Sequence, residues 1–227
     1  MKKMVLFVVA ALMGTTTFAQ SQTELMKQQQ ELNKLSLKMI NIKPSKDAKK
    51  QAKTYKKDGW RSDAGDLSME KQFTKAQIYG EIMMPTGDGG GTQRYMQSTM
   101  RQTGGSYNAA KRAATVAAQT DLASRIETKL ADAWKLVLDN AQDNAVLSTS
   151  NDKFNERTMG IVKQSISTEP VVSVYRVLPN NNYQVEIRLM LDKKATAERL
   201  KRNLKKELEL EGTTLDNMVD DMMCNDM

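Results

Sequence analysis

The chain has no histidine, one cysteine and few aromatic residues. Each shortage excludes something. Without histidine, no side chain titrates near neutral pH in its ordinary state. Histidine-based acid–base catalysis, Ser-His-Asp triads and histidine-ligated metals are therefore excluded together. With Cys224 as the sole cysteine, an internal disulfide is impossible even in an oxidising compartment. Aromatics make up 5% of the chain while methionine occurs 16 times, so the core must be aliphatic and filled out by methionine. The apolar run Met4 to Met13 is about ten residues, half of the roughly twenty that cross a bilayer as a helix.

That run has another use. Lys2 and Lys3 precede it, and Thr17-Phe18-Ala19 supplies a small-residue exit, so residues 1–19 read as a secretory signal with the mature chain starting at Gln20. No cysteine stands at the exit, which closes the usual route to a lipid anchor. Removing Lys2 and Lys3 from 34 basic residues leaves 32 against 27 acidic ones, so the mature chain stays basic. An exported protein, periplasmic or secreted, with no transmembrane segment after processing is expected.

Ser106 to Val137 lacks proline and glycine and is rich in strong helix formers, which predicts one long helix. Ala109, Ala110, Ala113 and Ala117 fall within about a quarter turn of one another and are expected to receive close-packed backbone, with Lys111 exposed. Leu122, Ile126, Leu130, Ala133 and Val137 continue as a ladder of bulkier groups. Gly104-Gly105 turns the chain into this helix. Thr92 to Thr103 ahead of it reads as a strand. Two further strands, Val171–Leu178 and Tyr183–Leu191, flank Pro179-Asn-Asn-Asn182 and predict a hairpin. Val185, Ile187, Leu189 and Leu191 face the core, and Gln184, Glu186 and Arg188 are expected to face water. Ser148 or Ser150 is expected to cap a shorter helix through Phe154, Ile161 and Val162.

Other helices are predicted at Thr23–Met39, after Ser45, from Met69 to Tyr79 and over Lys193–Glu211, where Leu200, Leu204 and Leu208 form a row. The fold expected is α+β. A small antiparallel sheet, one strand plus a C-terminal hairpin, packs on a long alanine-rich helix, with additional N- and C-terminal helices. The division expected is a helical extension over 20–92, a core domain over 93–211 and an acidic, methionine-rich tail over 212–227.

Chemistry-bearing stretches are few. Between Lys43 and Lys57 stand seven lysines and one aspartate, with Tyr55 the only aromatic. Lys46, Lys49, Lys50, Lys53, Lys56 and Lys57 are the candidate contacts for an anionic surface of lipid or glycan headgroups. A solvated helix face accounts for the same residues more simply. Nucleic acid is not expected, since no arginine fork or aromatic interleaving accompanies the lysines. Pro85–Gly91 is glycine-rich but lacks the Gly-Lys-Ser/Thr ending of a phosphate loop, so a connector is expected. Met218, Met222, Met223, Cys224 and Met227 could hold a soft metal such as Cu(I). However, Leu215, Met218, Val219 and Met222 have the spacing of an ordinary apolar helix face. Cys224 is expected to be an exposed free thiol, kept from ionising readily by aspartates 220, 221 and 226.

The middle of the chain resembles the LPP-twenty lipoprotein family and the related N-terminal domain of a flagellar H-ring protein. The residues that carry this are Gly104-Gly105, Ala109-Ala110, Ala113, Ala117, Asp121-Leu122-Ala123 and Ile126, followed by Val172-Ser-Val-Tyr175 and Tyr183-Gln-Val-Glu-Ile-Arg-Leu189. The similarity covers about residues 93–194. It implies a compact α+β domain of the cell envelope, often associated with outer-membrane structures, with no catalytic residues to carry over. The chain departs from lipoprotein members in having no cysteine after its signal. Three functions follow as expectations. The first is a non-catalytic exported interaction module, with an envelope protein partner or a second copy. The others are an anionic-surface binder through the lysine strip and a soft-metal binder through the tail. No catalytic residue, resident cofactor or metal site is expected.

Overall fold

Ten-residue antiparallel strands organise the computed structural model, which describes residues 41–85, 90–140, 145–208 and 213–224. The chain divides into two units, 1–43 and 44–227, and the architecture below is that of the second. The signal at 1–19 and the helix expected at Thr23–Met39 lie outside the described residues. In chain order the elements are α1 (Lys46–Lys57), β1 (Arg61–Ser62), α2 (Met69–Glu81), β2 (Met83–Pro85), β3 (Gly91–Gln93) and β4 (Tyr95–Gly104). These are followed by α3 (Tyr107–Asn140), α4 (Ala145–Ser165), β5 (Thr168–Val177), β6 (Tyr183–Asp192), α5 (Lys193–Leu208) and α6 (Thr213–Cys224).

The main sheet has the order β1-β5-β6-β4, and β2 and β3 form a separate two-stranded ladder on either side of the glycine-rich connector. β6 pairs with β5 through the expected hairpin, whose turn places Asn181 at φ 60°, a left-handed conformation that asparagine tolerates. On its other side β6 pairs with β4 without interruption from Tyr95↔Asp192 to Gly104↔Tyr183. The strand expected from Thr92 is thus split at Arg94 into β3 and β4.

Val185, Ile187, Leu189 and Leu191 are buried in one core with α3, α4, α5 and α6. The close packing of α3 onto the sheet begins at Gly104. A Cβ there would come within 2.9 Å of the Ala110 nitrogen, so any larger residue would push the helix away. Ser106 then caps the helix, its Oγ accepting from the Ala109 N–H at 3.3 Å.

The packed row of α3 is Ala110, Ala114, Ala118, Leu122, Ile126, Leu130 and Trp134, all buried. This corrects the expected alanine face: Ala109 and Ala113 are exposed, Ala117 is half-buried, and Trp134 takes the place given to Ala133. Lys111, expected to be exposed, is half-buried with its Nζ 5.3 Å from the Tyr107 ring centre. α4 starts at Ala145, so Ser148 and Ser150 lie within it and not at the start where a cap was expected. Leu200, Leu204 and Leu208 are core-facing.

The second sheet face is also covered. Met69, Phe73, Ala76 and Tyr79 of α2 are buried, as are Val172, Val174, Met190 and Tyr95 on the strands. Tyr79 meets Tyr95 edge to face at 4.6 Å. Glu186, expected to face water, is fully buried. Alternation along one strand cannot reveal a layer supplied by a distant helix, and α2 is that layer. The stretch read as an extension therefore contributes α1 and α2 to the same unit as the sheet. The stretch read as a tail contributes Leu215, Met218, Val219, Met222 and Met223 to the core.

Candidate functional site

The lysine strip is built on a helix with well-defined ends. At the start of α1, Ser45 Oγ accepts from the Ala48 N–H at 3.0 Å and donates to Gln77 Oε1 at 2.7 Å. At its end Gly59 adopts φ 82°, and the N–H groups of Gly59 and Trp60 donate back to the carbonyls of Lys56 and Tyr55. This is a Schellman closure, with Trp60 packed on the Tyr55 ring at 5.7 Å. Ala48 and Ala52 are fully buried. That fixes the opposite face outward: Lys46, Lys49, Lys50, Lys53, Lys56 and Lys57 are all exposed and span roughly 120° of the helix circumference.

Lys49, Lys53, Lys56 and Lys57 border an open depression of about 430 Å³ whose remaining wall is Glu70, while Lys46 and Lys50 lie outside it. Lys56 Nζ donates to Glu70 Oε1 at 2.5 Å, and this hydrogen bond holds the Glu70 carboxyl below the ordinary carboxylate range. Sequence reasoning missed Glu70, because nothing in α2 alone shows that it faces α1.

Behind the strip lies a polar cluster that the sequence did not reveal. Glu186 accepts from Arg101 Nε at 2.6 Å and from the Tyr55 hydroxyl at 3.2 Å, with Arg188 Nη2 3.8 Å away. The Arg101 and Arg176 guanidinium groups lie 5.3 and 5.0 Å from the Trp60 ring centre. Burial, then the Glu186 charge, raises the Tyr55 phenol. A second cluster closes the far end of the sheet. Arg94 donates through Nε and Nη2 to Asp192 Oδ2, while Asp192 Oδ1 caps α5 by accepting from the Ala195 N–H. Glu169 accepts from Lys75 and from the Tyr79 hydroxyl. The carboxylates of both clusters are engaged with cations of their own fold, so neither is an open acid–base pair.

Among the described residues, no three His, Cys, Asp or Glu side chains are grouped to hold a metal. In the tail, Met218, Met222 and Met223 are buried in the core, and the Cys224 thiol lies outside the described side chains. No described helix is long and apolar enough to cross a membrane. Compared with known protein families, curated proteins and solved structures, the chain finds no match, and hence no match to a catalytic family or fold.

Proposed function

We propose that this chain is a non-catalytic interaction module exported to the bacterial cell envelope. The observation that carries the reading is the internal pairing of its buried charges. The buried Glu186 and Asp192 each answer to a neighbouring cation, as does the half-exposed Glu169, and the lysines of α1 present positive charge on the surface. The signal-like residues 1–19 and the resemblance of residues 93–194 to the LPP-twenty family support export and an envelope setting. An envelope protein partner is part of this reading. The test is fractionation of the host followed by cross-linking in intact cells. A processed chain in the envelope fraction, cross-linked to the same envelope protein in repeated preparations, is expected. An unprocessed chain confined to the cytoplasm would sink the proposal.

A second reading is favoured by one observation: four exposed lysines of α1 border a single depression. Anionic lipid or glycan headgroups would settle there by charge attraction, which salt screens over about 8–10 Å. Co-sedimentation with phosphatidylglycerol-containing vesicles is expected to fall steeply as salt rises, and to weaken in Lys49→Gln/Lys53→Gln. Binding unaffected by both changes would remove this reading.

A further inference from the structure

The two edges of the main sheet are treated differently by the sequence. Along the β5 edge, Pro170 removes a donor, the ladder is irregular between Pro170 and Val172, Gln72 Oε1 accepts from the Ser173 N–H at 2.7 Å, and β1 covers Val174 and Tyr175. These are the devices that stop a strand from recruiting another. The β4 edge has none of them. It runs ten residues without proline or bulge, and among the described residues nothing pairs with its outer side. Its one charged side chain, Arg101, is held by Glu186 of its own sheet.

We propose that the outer edge of β4 pairs antiparallel with β4 of a second copy of this chain, joining two sheets into one of eight strands. A dyad at Thr99 sets Thr99 against its counterpart, Gln97 against Arg101, Ser98 against Met100 and Tyr95 against Thr103. This register places no like charges opposite one another, whereas centring on Arg101 would. It also brings hydrogen-bonding pairs, Thr–Thr and Gln–Arg, onto one face.

A second feature fits the same dyad. α3 lies over both β4 and β6. Its Gln119 reaches Thr168 at the start of β5, while Asp121 lies near Ser98 of β4. Next to Asp121, which pairs with Arg125 on its own helix, Ala113, Ala117, Thr120 and Ser124 lie within about 60° of one another on the helix. All are small, and all but the half-buried Ala117 are exposed. With strands about 4.8 Å apart, a helix over the β4–β6 seam would stand about 10 Å from its dyad mate. That is the distance at which helices pack, and small facing residues permit it. The inference rests on strand geometry and holds wherever the protein resides.

Sedimentation equilibrium of the chain, purified as processed by its host, tests the inference together with Gln97→Lys/Thr99→Lys. Both side chains are exposed on β4, so the fold should keep its circular dichroism and melting temperature. The wild type is expected to dimerise. The lysine pair, acting twice at the dyad, should weaken the dimer by about tenfold or more. Thr99→Cys in a Cys224→Ser background should oxidise to a covalent dimer, while Arg61→Cys on the guarded edge should not. A monomeric wild type, or a dimer indifferent to both lysines, would overturn the proposal.

Discussion

At the scale of the residue, Tyr79 and Tyr95 show how burial fixes protonation. Both rings are almost fully buried where α2 meets the sheet. Burial raises the Tyr79 phenol, and the nearby Glu169 carboxylate raises it further. Burial pushes Tyr95 up to about 12 from an ordinary 10.0, against the opposing pull of Arg94. The folded state therefore keeps protons that the unfolded chain gives up near pH 10. Stability is fully present below pH 10 and falls as pH rises towards 12, by about 1.4 kcal/mol per pH unit for each phenol still protonated. Tyr95→Phe removes one such group. Its hydroxyl has no hydrogen-bond partner among the described residues, so nothing is lost at neutral pH. The alkaline unfolding midpoint of Tyr95→Phe, followed by tyrosinate absorbance and circular dichroism together, is expected to lie above that of the wild type. An unchanged midpoint would mean that Tyr95 ionises without unfolding the protein.

At the scale of the element, α3 shows what a sequence reveals and what it conceals. Its length and its contact with the sheet were legible, because helix propensity and the Gly104-Gly105 turn are local signals, whereas the Ser106 cap was not singled out. The buried alanine row was misplaced by one position. Ala109, Ala113, Ala117 and Ala110, Ala114, Ala118 are parallel i, i+4 rows of the same residue type, and side-chain chemistry cannot choose between them. What decides is the onward path, since the second row continues into Leu122, Ile126, Leu130 and Trp134. Leucine at Ala114 or Ala118 is therefore expected to cost about 1–3 kcal/mol through overpacking. Leucine at Ala113 should be close to neutral when measured in the charged-edge Gln97→Lys/Thr99→Lys background. Urea denaturation of the three variants settles the row. Equal midpoints for Ala113→Leu and Ala114→Leu would contradict it.

At the scale of the whole molecule, the least legible feature was the layer of α1 and α2 over the second sheet face. Each of the two helices was predicted locally. Their docking depends on groups far apart in the chain: Tyr55 on α1, Arg101 on β4, and Glu186 and Arg188 on β6. Glu186 in an alternating strand reads as a solvent-facing acid, and only the assembled fold shows the cations that let it be buried. Removing that carboxylate tests whether it holds the layer in place. Glu186→Ala leaves Arg188, 17% exposed at its side chain, and Arg101, 52% exposed, without their anion. Stranding a fully buried charge costs about 3–5 kcal/mol, and since water reaches Arg101 a loss of about 2–3 kcal/mol is expected. Glu186→Met/Arg188→Met, which removes acid and base together, should recover most of that loss. Trp60 lies against Tyr55, Arg101 and Arg176, so in a Trp134→Phe background its emission reports on the docked layer. Glu186→Ala should shift Trp60 emission to the red at urea concentrations where the far-ultraviolet signal of the sheet and α3 persists. If emission and circular dichroism instead change together at the wild-type midpoint, the cluster does not hold the layer, and the apolar contacts of Met69, Phe73 and Ala76 suffice.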